Sequence, residues 1–133
     1  MGLTHLDAGV LIGFFNANDA HHAAACSVLQ DGIAGEQFAM SASSLAESLI
    51  TPARQGEGGI RAAMAAIGRL SVRTVDLTAE IAIETARLRA AHRSLRLPDA
   101  LVIATAIESG ADRLVTTDRR WPPLDSDLRV ERI

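Results

Sequence analysis

Apolar positions along this chain fall into two kinds of block, short runs of three to five residues and longer stretches with helical spacing. "THLDAGVLIGFF" predicts a short strand ending near Asp7, followed by an apolar helix. "NDAHHAAACSVLQDGIAG" reads as a helix with Asp19 as its cap and Gly32 and Gly35 as stop signals. "QFAMS" is a strand, and "SSLAESLITPARQGEGG" a helix that Pro52 ends or kinks before the glycines. In "GIRAAMAAIGRL", Ile60, Met64 and Ile67 lie at helical spacing. "SVRTVDL" predicts a strand, and "TAEIAIETARLRAAHRSL" a long helix capped by Thr78 with Glu80 in its first turn. "RLPDALVIATAIESG" follows as a helix opened by a proline. "DRLVTTD" is a strand running into Asp118, and "LRVERI" a last edge strand.

Strands alternating with helices imply an α/β fold, a parallel sheet with helices on both faces. Right-handed crossovers bring the strand carboxyl ends to one rim, where ligand sites of such sheets gather.

Composition narrows the chemistry. With 133 residues, 48% of them hydrophobic, the chain is expected to form one globular domain over residues 1–133. Its longest apolar run, "ALVIATAI", is too short to cross a bilayer. "MGLTHLDAGVLIGFF" meets an acid after six residues without a basic start, so no leader is expected. One cysteine suits a reducing cytoplasm. All 13 basic residues are arginine, which excludes P-loop and Schiff-base lysine chemistry. Tyrosine is absent and other aromatics are sparse, so no base-stacking platform is expected. The net charge of −3 gives no whole-molecule argument for nucleic acid, although a local basic surface suffices for binding.

Four acids stand in mostly apolar surroundings: Asp7 in "LDAGVLI", Glu47 in "SLAESLI", Asp99 in "LPDALVI" and Asp118 in "VTTDRR". Asp7 and Asp118 fall at strand ends, and Glu47 sits one turn into the helix after "FAMS". Asp99 reaches the same rim if the preceding helix runs antiparallel to the strands. Each has a bland use. Asp99 in particular caps a helix, although proline at the first helical position would place it second. Asp7 is the hardest to dismiss, since an acid ending a central strand has few structural uses.

Together they carry more weight. Two carboxylates about 4 Å apart repel by roughly 4 kcal/mol at an effective dielectric near 20. A helix dipole returns only about 0.3–1 kcal/mol. Such a cluster calls for protons or cations, and all-oxygen donors select Mg²⁺ or Mn²⁺ over zinc. These ions ionise a water and shield a phosphoryl group, as cutting a phosphodiester requires.

At these motifs the chain resembles a PIN domain, most similar to the VapC-type toxins of prokaryotic toxin–antitoxin pairs. "LDAGVLIGFF", "SASSLAESL" and "LPDALVIATAIESGADRLVTTD" carry the likeness across essentially the whole chain, the last being the most specific. The resemblance implies a three-layer α/β/α fold around about five parallel strands, and a metal-dependent endoribonuclease. It implies that Asp7, Glu47, Asp99 and Asp118 hold Mg²⁺ or Mn²⁺, with Thr116 orienting the site. It also implies a homodimer and an antitoxin partner whose C-terminal segment lies across the catalytic groove. One departure stands out: Ala8 replaces the Thr or Ser that usually follows the first Asp.

For substrate, Arg96, Arg119 and Arg120 flank the acids and are placed to hold RNA phosphates. Arg89, Arg93 and Arg96 share a face if their helix continues that far. "SLAESLI" and "IRAAMAAI" offer an apolar groove for a partner helix. His22 and Cys26, four apart, supply only two local ligands, so zinc is not expected, and Cys26 reads as inert core. A phosphomonoesterase with an aspartyl nucleophile is disfavoured, since no second Asp follows Asp7 by two residues. The alternative of another class is a weak or inactive binding module working through a partner, favoured by Ala8.

Overall fold

The computed structural model of the chain describes residues 2–30 and 35–133. Five short strands, β1 (Leu3–Leu6), β2 (Gln37–Ser41), β3 (Val72–Val75), β4 (Arg113–Thr116) and β5 (Arg129–Arg132), form one sheet in the order β3-β2-β1-β4-β5. Every pairing is parallel, including the edge strand β5. The helices are α1 (Ala8–Phe15), α2 (His22–Gln30), α3 (Ala42–Ser48), α4 (Ile50–Arg54), α5 (Glu57–Arg69), α6 (Ala79–Ala91) and α7 (Leu97–Glu108). They cover both faces, giving the three-layer α/β/α architecture expected of the sequence.

Strand periodicity sorts the core. On β1, Leu6 packs with Val10, Leu11, Ala25, Met40 and Val115 against α1, α2 and α5. The residues one step out of phase face α6 and α7, where Leu114 meets Ile81, Leu88, Ile103 and Ala106. The central strand β1 is buried on both faces although it is not a continuous apolar run: Thr4 and His5 are buried along with Leu6.

Three local expectations change. The helix read across Pro52 is two helices: α3 ends at Leu49, and Pro52 sits inside the first turn of α4, where its missing N–H costs nothing. The chain then doubles back into α5, because Gly59 lies on the Pro52 carbonyl, where a Cβ would collide. Helix α6 stops at Ala91, so Arg93 and Arg96 do not continue the face of Arg89. Arg89 instead donates from Nη1 to the Leu95 carbonyl at 2.6 Å, closing the turn before α7. Pro98 occupies the second position of α7 rather than the first, and Asp99 the third. The Thr78 cap stands, with its hydroxyl accepting from Ile81 N at 3.3 Å. Gly32, proposed as a stop signal, lies outside the described residues.

The path of α7 decides where Asp99 ends up. After α7, Asp112 N donates to the Leu3 carbonyl at the start of β1, so α7 runs away from the strand carboxyl ends. The beginning of α6 (Thr78, Glu80, Ile81) shares a cavity with the end of α7 (Glu108, Ser109). Helix α6 therefore runs with the strands and α7 against them, the reverse of the condition set for Asp99. The result is the same rim.

Candidate functional site

Asp7 leaves β1 and becomes the N-cap of α1. Its Oδ1 accepts from Ala8 N at 2.9 Å, and its Oδ2 accepts from the Thr116 hydroxyl at 2.7 Å. The strand-end acid thus has one of the few structural uses open to it, as a helix cap. Thr116 ends β4 and is fully buried, and its Oγ1 also accepts from Asp118 N at 3.0 Å. One hydroxyl joins two acidic segments. Gly9 allows this: a Cβ there would strike the Thr117 side chain, so only glycine lets α1 lie this close to the loop after β4.

Asp7, Glu47 and Asp99 line a single cavity of about 250 Å³, floored by Ser43, Ser44, Leu101 and Val102. Burial raises the Asp7 carboxyl to about 6; the Thr116 and Ala8 bonds pull against this, and the charges of Glu47 and Asp99 push it further up. Three carboxylates from three distant segments therefore feel one another. Asp99 has no capping role in α7, whose first turn lacks any side-chain cap. It lies 3.5 Å from Arg96 Nε, a pair whose arginine is mostly exposed.

Asp118 stands apart. Its Oδ1 accepts from Arg120 N at 2.8 Å and Arg120 Nε at 3.2 Å, and its Oδ2 accepts from Arg120 Nη2 at 3.1 Å. These bonds hold the Asp118 carboxyl below the usual range. It meets Asp99 across a separate small cavity of about 80 Å³, shared with Ser94, Arg96, Arg120 and Trp121. No helix follows Asp118 among the described residues. Arg119 is exposed on the same loop.

Reading the sequence missed the serines. Ser41 caps α3 by accepting from Ser44 N at 3.0 Å, and its hydroxyl also meets those of Ser43 at 2.8 Å and Ser44 at 3.0 Å. Ser44 is buried at the cavity floor. The run "SASS" after a strand was the available signal, since hydroxyls concentrate at N-caps. Cys26, expected as inert core, is only half-buried, with Sγ 3.5 Å from His22 Nε2.

The donors at the rim are carboxylate and hydroxyl oxygens, the set that suits a hard divalent cation. As the side chains stand, no three acidic, histidine or cysteine groups among the described residues are gathered closely enough to grip one ion. The donor chemistry fits a cation; the convergence of the four acids is incomplete, and Asp118 lies outside the cavity that the other three share.

Beside this site lies a larger groove of about 440 Å³, between α1 and the α4–α5 turn, lined by Ile12, Phe15, Pro52, Ala63 and Ile67 and closed at one end by Glu47. Ile12 and Phe15 are 42% and 47% exposed. Glu47 borders both cavities, so the groove adjoins the acidic rim across that side chain.

Such a sheet, carrying acids at the carboxyl ends of its strands, defines a three-layer α/β/α domain with its polar rim where ligand sites of this class lie. The PIN domain family model matches residues 5–126, and the chain belongs to that family. No curated protein sequence matches the chain. Among solved structures, it is similar to VapBC2 from Rickettsia felis bound to a promoter DNA fragment, with 18% identity, TM-score 0.70 and 98% of each chain covered. It also resembles VapC20 of Mycobacterium tuberculosis, described as a sarcin–ricin loop cleaving toxin (23% identity, TM-score 0.65, 84% of this chain and 86% of that one). A toxin–antitoxin complex from Klebsiella pneumoniae is a third likeness, at 22% identity and TM-score 0.67, covering 90% of this chain and 88% of the other. These establish the shared fold.

Proposed function

We propose that this chain is a divalent-metal-dependent endoribonuclease, the toxin of a toxin–antitoxin pair, acting as a single domain in the cytoplasm. The carrying observation is that Asp7, Glu47 and Asp99 border one cavity at the ligand edge of a PIN fold. Asp7, Glu47, Asp99 and Asp118 are the residues that would hold Mg²⁺ or Mn²⁺. When bound, the ion supplies an ionised water and neutralises charge at the scissile phosphate.

The chain's own residues do the rest. Thr116 and Ala8 N fix both oxygens of Asp7, so that carboxylate is oriented before any ligand arrives. Arg96, Arg119 and Arg120 stand at the rim and hold the backbone phosphates of RNA. The toxin assignment draws on the VapC likeness, and RNA as substrate on the class of protein the M. tuberculosis relative belongs to. An antitoxin helix fits the apolar groove along Ile12 and Phe15, where it ends against Glu47 and closes the site. A homodimer accompanies this reading.

The test is cleavage of a mixed pool of structured RNAs by antitoxin-free protein. Discrete products in Mg²⁺ or Mn²⁺, absent in chelator and absent with Asp99→Asn, support the proposal; folded protein that cleaves nothing rejects it. One observation favours a second reading, a weak or inactive module acting through its partner. Ala8 is fully buried and brings no hydroxyl to the site. Restored or raised cleavage in Ala8→Ser would favour it.

A further inference from the structure

Arg120 spends its entire guanidinium edge on a residue of the acidic rim. Its Nε and Nη2 reach separate oxygens of Asp118, while its backbone N–H adds a third bond to Oδ1. Both carboxylate oxygens are thereby taken. The arginine side chain is 75% exposed, whereas that of Asp118 is 15% exposed. Arg96 makes a looser, single ion pair with Asp99, Nε to Oδ2 at 3.5 Å, again with an exposed arginine (65%) over a sheltered acid (16%). The two pairs face each other across the small cavity that Trp121 lines. On the other side of Asp99, the cavity shared with Asp7 and Glu47 has no arginine in its lining.

This asymmetry has a consequence. An arginine fork occupies the carboxylate lone pairs that face it and sets a positive charge where a hard cation would approach. Asp118 therefore has an occupant of the right charge already in place, supplied by the chain two residues away. Exposed ion pairs contribute little to an equilibrium, because water and salt compete with them. The fork is thus strong enough to hold the carboxylate aside and weak enough to be displaced. Asp118 accordingly lies outside the cavity that Asp7, Glu47 and Asp99 line, on the side where the arginines stand.

We propose that Arg120 is a built-in competitor for the metal at Asp118, a latch that must release the carboxylate before the acidic site closes around a cation, with Arg96 playing a lesser part at Asp99. This rests on the metal-dependent reading of the site above. Arg120 acts here as a positioning residue. Its removal should do what loss of a structural residue does not, namely tighten metal binding.

The experiment is calorimetric titration of the full chain with Mn²⁺ alone, without RNA, comparing wild type, Arg120→Gln, Arg120→Lys and Arg87→Gln. Arg87 pairs with Glu84 on α6 through an equally exposed contact of 3.4 Å, so it controls for the loss of one positive charge. Arg120→Gln is expected to bind Mn²⁺ about 2- to 5-fold more tightly, the range an exposed ion pair contributes to an equilibrium constant. Arg120→Lys, which keeps the charge and loses the fork, should fall between, and Arg87→Gln should match wild type. Trp121, the only tryptophan, lines the same cavity, so its fluorescence should change on titration with the same midpoint. Wild-type binding with no tightening in Arg120→Gln overturns the latch and leaves the metal site standing. Equal tightening in Arg87→Gln also overturns it, as a general charge effect. Absence of binding in every variant overturns the metal reading and the latch with it.

Discussion

The Thr116 hydroxyl donates to Asp7 Oδ2 at 2.7 Å while accepting from Asp118 N at 3.0 Å, tying the end of β1 to the loop after β4. Both ends of this bridge belong to the proposed site, so the bond sets an acid's direction and also its protonation. Hydrogen bonding to the ionised form favours it, which partly offsets the burial that raises Asp7 to about 6. Thr116→Val keeps the volume and removes the bridge. The Asp7 carboxyl should then titrate above its wild-type value in carboxyl-carbon NMR, and cleavage at neutral pH should fall by at least about tenfold, less than the about 100-fold lost with a donor that acts directly on the transition state. An unchanged Asp7 titration would show that the bridge has no electrostatic role.

Asp7 carries a stability deficit of its own. Its folded value of about 6 exceeds the ordinary 3.8, so between those values the native chain binds more protons than the unfolded one. Stability falls as pH rises through that window, and the deficit is complete above it. At about 1.4 kcal/mol per unit the upper bound is about 3 kcal/mol. Asp7→Asn should therefore melt higher than wild type at pH 8 in chelator, with the gain vanishing below about pH 4. A mutant that melts lower at pH 8 would make Asp7 a structural cap first and a site residue second.

His5 works in the opposite direction. It sits on β1, 1% exposed, with neither ring nitrogen partnered among the described residues, and burial followed by the charge of Arg73 lowers it from 6.5 to about 4. A buried neutral histidine must be charged when the chain unfolds in acid. Between about pH 6.5 and pH 4 the unfolded state binds the extra proton, so stability drops as pH drops. His5→Leu should flatten this acid limb, seen as a smaller loss of denaturation midpoint between pH 7 and pH 5. An unaltered limb would assign it to the carboxylates instead.

Gly9 is the tightest backbone approach near the site. Gly9→Ala forces the Thr117 side chain, and with it the Thr116–Asp118 segment, away from α1. Overpacking of this kind costs about 1–3 kcal/mol. The expected signature is a loss of cleavage out of proportion to a modest fall in melting temperature. Full activity would mean that the loop adapts without moving its acids.

Much of this architecture is legible along the chain. "THLDAGVLIGFF" carries the β1–α1 junction because an apolar run interrupted by one acid leaves little choice of boundary. The parallel order of β1, β2 and β4 follows from helices lying between them, and with it the gathering of Asp7, Glu47 and Asp99 at one rim. What stayed hidden was set by contacts between distant parts. The break at Leu49 depends on Gly59 seating against the Pro52 carbonyl, and both halves have helical patterns. The end of α6 depends on Leu95 being buried and Arg89 reaching its carbonyl. The grip of Arg120 on Asp118 leaves no periodic signal, since residues two apart face each other only in a turn. The dual use of Asp7, as cap and as member of the acidic group, is a matter of two oxygens with two partners, which no residue pattern encodes.

The central claim is that water, prepared at these carboxylates, breaks a phosphodiester bond. Cleavage in water enriched in ¹⁸O, followed by mass spectrometry of the new ends, tests it most directly. The account predicts one ¹⁸O per new phosphate end, formed only with Mg²⁺ or Mn²⁺ and lost in Asp99→Asn. A 2′,3′-cyclic phosphate without label, or cleavage that persists in chelator, would contradict it.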